Sequence, residues 1–417
     1  MQKLLFIFLT ISFSSLHAQT QDIEIPDFLD KAEIENFDCK CLEKEISYSK
    51  EDQKYIDILW EETLQYLKAY AIALTTSTGN CINSDEAIYE TVDGHKTLCV
   101  MDQRDMQLMV KHIYLVLLNP DKAKKCFAAR KDVEGLYSPG GKAREISKVD
   151  QWLDRMTFEE FFNQKVTDPE VKQYGLSFTK NFNKMITGDD IELPSNFPYD
   201  ISANALPNLW AAVGWSPMYA EQSERNSKNF KNTRGGYAYG EIFGHWGLLR
   251  IETINGEKVG AEVGMVVQAV NTFYAYHNHA ISEMYHTIRK PACTNEFKTF
   301  AIDKYNPLVK TVYEDESIRR IQFNTDVPQE YRMWSTGAPD NQPFVYFRRN
   351  TIHAFEVDGS CEAKPEEKAL VTIWARSNAA DRRNDYGTTR LCESAENPGT
   401  PGKRGEVIQC DLTKIKW

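Results

Sequence analysis

Past its first eighteen residues the chain has no apolar run long enough to cross a bilayer, so no membrane-spanning helix is expected in the mature protein. It also lacks low-complexity tracts and any repeat period, and its 42% apolar content is ample for packed cores. Basic charge is short: 49 Lys and Arg against 60 Asp and Glu leave a formal net charge of −11. That balance argues against nucleic acid or an anionic membrane surface as partner, though a local pocket can oppose the global sign. No Cys follows the N-terminal apolar run, so no lipid anchor is indicated. Ser138-Pro139-Gly140-Gly141 is a turn without the rest of a phosphate-binding loop, which removes a nucleotide site there. Histidine is scarce as well, with eight in the chain, so a close pair of them draws notice.

What is present begins with an export signal over residues 1–18. Lys3 supplies the charge, Leu4 to Phe13 the apolar run, and Leu16-His17-Ala18 an approximate cleavage site. The mature protein is expected to be soluble and periplasmic, without stable membrane insertion. Its length suggests two domains: a mostly helical one over residues 19–200 and a β-rich one over 201–417. The nine cysteines make disulfides plausible after export. Cys81/Cys99 and Cys392/Cys410 are spaced to staple local excursions, Cys293 and Cys361 flank a later segment, and the odd count leaves at least one thiol unpaired. Cys39-Lys40-Cys41 has no second pair to complete a metal clip.

Residues 19–48 read as an acidic, irregular arm laid on the body. Ser49 caps a helix with acids in its first turn, and Tyr55, Ile56, Leu59, Trp60, Leu64, Leu67 and Tyr70 recur at helical spacing. A looped stretch follows, through Gly79 to His95. Asp102 is placed to cap another helix, with Met106, Met109, Ile113, Val116 and Leu117 on its apolar face and Asn119-Pro120 at its end. His112 in that helix reads as a partly buried residue and not a ligand. Thr157-Phe158-Glu159-Glu160 resembles a capping box. Beyond Pro194–Pro198 the pattern changes to short β segments between Gly, Asn and Pro turns: 247–254 with an Asn255-Gly256 hairpin turn, 343–347 and 369–375. This spacing predicts an antiparallel barrel or jelly roll, hence an α+β protein.

The stretch Tyr276 to Tyr285 carries the chemistry. On a strand His277 and His279 project to one side, and a tight bend after them can return Glu283 and Tyr285 over the same face. Two imidazoles and a carboxylate suit a borderline divalent metal, and a tyrosine beside them can serve as acid or base. His353, in an apolar β-like stretch, is the best placed further ligand. His245 and His286 are weaker ones, since His286 would face away on a continuing strand.

This pattern resembles the cupin superfamily, whose first motif supplies two histidines and a glutamate and whose second supplies one histidine. More specifically, His277, His279, Glu283 and Tyr285 fill the first four fixed positions of HxHxxxExYxxxxG, the first motif of the dimethylsulfoniopropionate (DMSP) lyase-like cupins. Lys290 stands where that motif ends in Gly. Length, export signal, domain order and the separation of His279 from His353 are similar to those of the large periplasmic DMSP lyases. The resemblance implies a C-terminal cupin β-barrel (double-stranded β-helix) and β-elimination of DMSP to dimethyl sulfide and acrylate. It also implies one divalent metal, zinc with iron or manganese as alternatives, on His277, His279, Glu283 and His353, with Tyr285 as the base. The sulfonium of such a substrate favours aromatic faces, which Tyr237, Tyr239 and Trp246 can supply, as can Phe273 or Tyr274. Two other readings stay open: a cupin metalloenzyme of another type, such as a dioxygenase or isomerase, and a cupin that binds a small molecule without turning it over.

Overall fold

Ser49 starts the longest helix: its Oγ accepts the Asp52 amide at 3.1 Å and donates to the Asp52 carboxylate at 2.7 Å. From this cap the helix Lys50–Thr78 buries Tyr55, Ile56, Leu59, Trp60, Leu67 and Tyr70, as the spacing predicts, while Leu64 is only half-buried and Tyr66, outside that set, is buried too. The computed structural model describes residues 23, 25–42, 47–78, 88–92, 95–99, 103–128, 158–166, 169–187, 200–218, 236–244, 247–270, 272–279, 281–289, 296–302, 311–315, 320–324, 330–335, 344–347, 352–357, 368–377, 390–399, 401–402 and 406–411. The export signal, Cys81, Asp102, Ser138 to Gly141, Thr157, His245, Trp246, Lys290, Cys293 and Cys361 lie outside them.

The helix Gln103–Leu118 buries Met109, Ile113 and Val116 and stops at Asn119, where Pro120 opens a further short turn, Pro120–Ala123. A third long helix, Pro169–Thr187, buries Phe178, Phe182 and Met185. Their apolar faces share one core with Met265, Met284, Ile288 and Ile373, which come from strands of the second half. Tyr66 reaches through this layer and donates to the Gly264 carbonyl at 2.6 Å.

Those strands belong to a six-stranded sheet in the order Phe344–Phe347, Glu283–Arg289, Ala369–Ser377, Ala261–Ala269, Tyr237–Phe243, Ser216–Met218. A five-stranded sheet runs Glu330–Ser335, Glu296–Ile302, Ile352–Val357, Phe273–Asn278, Arg390–Leu391. Every ladder within both sheets is antiparallel. The sheets face each other across the Tyr285 and Phe355 rings, whose centroids are 4.6 Å apart. The fold is thus an α+β cupin. Among the described residues no ladder joins the two sheets. Behind the five-stranded sheet Tyr276, Ile352 and Ala354 pack on Ile408 and on the Cys392–Cys410 disulfide, the pairing that the spacing suggests. Asn255 and Gly256 both take positive φ, 51° and 78°, as a tight hairpin turn requires.

Two expectations change. The N-terminal arm is not irregular: it holds a short helix, Lys31–Glu35, and the strand Cys39–Cys41, which pairs with Ile251–Ile254. The 79–95 stretch, expected as loops, includes the strand Ile88–Val92, which pairs with His95–Cys99. On their strand Cys39 and Cys41 point the same way, toward Cys126. Cys41 is bonded to Cys126, and the Cys39 thiol lies buried with its Sγ 3.8 Å from that of Cys126.

His112 is fully buried, and its Nδ1 accepts the Gly260 amide at 2.8 Å, fixing helix to sheet. Burial first of all holds its pKa down at about 4, against the pull of Glu257. The same ring titrates near ~6.5 in an unfolded chain. The folded protein therefore binds this proton less readily, and the contribution is whole above pH ~6.5 and lost as pH falls toward the folded value. Urea unfolding should show about 2–3 kcal/mol less stability at pH 4.5 than at pH 7 from this group. His112→Gln should flatten that part of the profile, and an equally steep loss in the variant would refute the assignment.

Candidate metal centre

The strands Phe273–Asn278 and Ile352–Val357 are neighbours, and His353 lies directly opposite His277. The ladder shifts register between His353 and Phe355, which pairs Phe355 with Tyr274. This irregularity turns Tyr274 to the same side as His277, three residues on, and the two rings stack at 4.1 Å. His279 follows the strand end, and the chain then passes to the other sheet, where Glu283 opens the strand Glu283–Arg289. The crossing brings Glu283 and Tyr285 back over the histidines. One ligand atom from each of His277, His279, Glu283 and His353 falls within 4.8 Å of the others, and all four residues are buried. His286 points to the helix side of its sheet, and burial lowers its pKa to about 3.

The proton arrangement follows from the partners. His277 Nδ1 is 2.8 Å from the Ala275 carbonyl, and His279 Nδ1 is 2.9 Å from that of Ile281. A carbonyl only accepts, so each Nδ1 carries the hydrogen and each neutral ring keeps a bare Nε2. His279 Nε2 lies 2.9 Å and His353 Nε2 3.4 Å from Glu283 Oε2. Burial pushes the Glu283 pKa up, but positive charge and N–H donation from the His279 and His353 rings, when these carry a proton on Nε2, outweigh it and hold the carboxyl well below the usual range. An ionised carboxylate facing imidazole lone pairs at such distances calls for a proton or a cation between them. Three nitrogens and one carboxylate oxygen form a donor set that suits zinc and similar divalent ions. The residues present therefore fit a metal. Tyr285 Oη donates to the same Glu283 oxygen at 2.9 Å, and burial first, then Glu283, raises its pKa well above the ordinary phenol value.

Aromatic rings line the space around this centre. Tyr237 is buried against Tyr274 at 4.8 Å, while the half-buried Tyr239 meets Trp374 edge-on at 6.4 Å. Phe355, Trp374 and Arg376 also line it and were not singled out by sequence reasoning. A period-2 signal was there to be read, since Thr372, Trp374 and Arg376 alternate with Val371, Ile373 and Ala375.

No protein-family model matches the sequence. Over 416 residues, the whole of both chains, the sequence is 60% identical to dimethylsulfoniopropionate lyase DddY of Shewanella woodyi. Similar solved structures include DMSP lyase DddQ of Ruegeria pomeroyi, 13% identical over 49% of this chain and 71% of that one, with a TM-score of 0.26. A cupin-2 domain from Rhodospirillum rubrum is 10% identical over 41% and 72%, with a TM-score of 0.21. Likenesses at those scores carry no weight beside the full-length sequence match. On that match, the chain belongs to the DddY family of dimethylsulfoniopropionate lyases.

Proposed function

We propose that this chain cleaves DMSP to dimethyl sulfide and acrylate by β-elimination, with Tyr285 as base beside a divalent metal. The ligands in this reading are His277, His279, Glu283 and His353, and zinc is the first choice of ion. Membership of the DddY family supports the reaction. The observation that carries the site is the convergence of four buried ligand atoms within 4.8 Å, with Tyr285 Oη hydrogen-bonded to one of them.

A divalent ion in this donor set supplies Lewis-acid stabilisation of the charge that develops on the substrate carboxylate, and it favours the phenolate form of Tyr285. Tyr285 gives up its proton to solvent, with Oη held in place beside Glu283 Oε2, and as phenolate takes the substrate α-proton on Oη, which returns it to the phenol. The C–H pair becomes the Cα=Cβ bond, and the C–S pair leaves with sulfur as neutral dimethyl sulfide. A sulfonium is already a good leaving group, so one base suffices. A phenol of pKa ~10 is ionised roughly one part in a thousand at neutral pH, so lowering it by ~2–3 units requires about 3–4 kcal/mol of differential stabilisation. Tyr237, Tyr239 and Trp246 are the proposed aromatic contacts of the onium group.

The same reading takes residues 1–18 as an export signal, 19–200 as a helical domain and 201–417 as the catalytic domain, working in the periplasm. No helix among the described residues is long and apolar enough to cross a membrane.

Tyr285→Phe should lower turnover of DMSP by about 100-fold or more while metal content stays at the wild-type level. Dimethyl sulfide release that survives the substitution puts the base elsewhere. Chelation should abolish acrylate formation and added zinc should restore it. His353→Ala should lose bound metal by elemental analysis, and undiminished occupancy would remove His353 from the ligand set.

A further inference from the structure

Two donors on the inner face of the six-stranded sheet take no part in the elimination steps above. Arg376 stands directly across the ladder from Glu283, and Trp374 directly across from Tyr285. Cross-strand partners share a face, so both side chains project to the side on which the histidine–glutamate centre sits. Trp374 is 4% exposed, and its indole Nε1–H has no acceptor among the described residues. Its partner on the other side is Gly264, where an added Cβ would come within 3.0 Å of that nitrogen. The missing side chain is what lets the indole edge settle there. Arg376 bonds Glu262 through Nε, and its guanidinium carbon lies 5.0 Å from the Trp374 ring centroid. A guanidinium carries five N–H donors, of which Nε–H is taken by Glu262, and the Arg376 side chain is 18% exposed.

A buried donor left without an acceptor is destabilising, and here it sits beside a held cation. Both groups seek the same thing, an acceptor with negative charge. The surrounding charge narrows the choice. Glu262 pairs with Arg376 across one ladder, and Glu241 continues the row through Gly264, so both buried acids share the face of Trp374 and Arg376. A bare anion meets repulsion from them, whereas a molecule carrying its own cation is matched at both ends. We propose that Trp374 Nε1–H and Arg376 form a carboxylate-binding subsite that holds the acid end of an onium–carboxylate zwitterion beside Glu283 and Tyr285. The choice of ligand rests on the lyase reading, and the donor pair itself does not.

The test uses 3-(trimethylammonio)propionate, a zwitterion with a poor leaving group, and its carboxamide, titrated by calorimetry into zinc-loaded protein. Wild type should prefer the carboxylate by about 10- to 100-fold. Arg376→Met should erase most of that preference, Arg376→Lys should keep part of it, and Trp374→Phe, which removes only the N–H and one ring, should weaken it about 3- to 10-fold. In turnover the same variants should raise the KM for DMSP far more than they lower kcat. A preference unchanged in Trp374→Phe and in either arginine variant overturns the subsite. Wild-type protein that shows the preference yet releases no dimethyl sulfide defeats the lyase reading and leaves the subsite standing. Turnover with no carboxylate preference does the reverse.

Discussion

An ionised carboxylate with imidazole lone pairs against it, buried between two sheets, is the constraint on which the rest of the structure turns. Glu283 Oε2 lies within 3.4 Å of two imidazole nitrogens and also accepts the Tyr285 hydroxyl. Such a group is unfavourable in a dry interior unless positive charge joins it. The backbone sets the arrangement firmly. Carbonyls of Ala275 and Ile281 hold two of the rings by Nδ1, so the lone pairs point inward and cannot turn away without losing hydrogen bonds.

The layering serves that centre. Outer-face residues of the six-stranded sheet, such as Met265, Met284 and Ile373, sink into the core shared with the helices. Inner-face residues of the same strands are therefore free to be polar or aromatic. The helices thus support a sheet whose other side carries Glu283, Tyr285, Trp374 and Arg376. On the far side the Cys392–Cys410 bridge and Ile408 back the histidine-bearing sheet. The centre is supported from both sides by apolar packing that contributes nothing to its chemistry directly.

The legibility of this architecture in the sequence follows the range of the forces involved. HxHxxxExY was readable because strand alternation and one bend relate its residues locally, and His353 because its neighbours mark a strand. The helix Lys50–Thr78 declared itself by its cap and spacing and Gln103–Leu118 by its spacing, whereas Pro169–Thr187 was not singled out. Tyr274 could not be chosen over Phe273, since the choice depends on a register shift against a strand some 80 residues later. Trp374 and Arg376 needed knowledge of which strand lies beside Glu283–Arg289. Cys41 and Cys126 are 85 residues apart, and no spacing rule reaches that far. Propensity and periodicity report on neighbours in the chain, and these pairings are set by neighbours in space.

The short strand Cys39–Cys41 bears on the order of assembly. Its hydrogen-bonding partners are residues 251–254, so the first strand of the described chain must wait for more than 200 residues to follow before it has anything to pair with. The bond from Cys41 to Cys126 needs only the first third of the chain. If it closes early, it holds the waiting strand beside the short helical turns at 120–126, shortening the search for the later pairing. The strand Cys39–Cys41 thus finds its hydrogen bonds long after it is made.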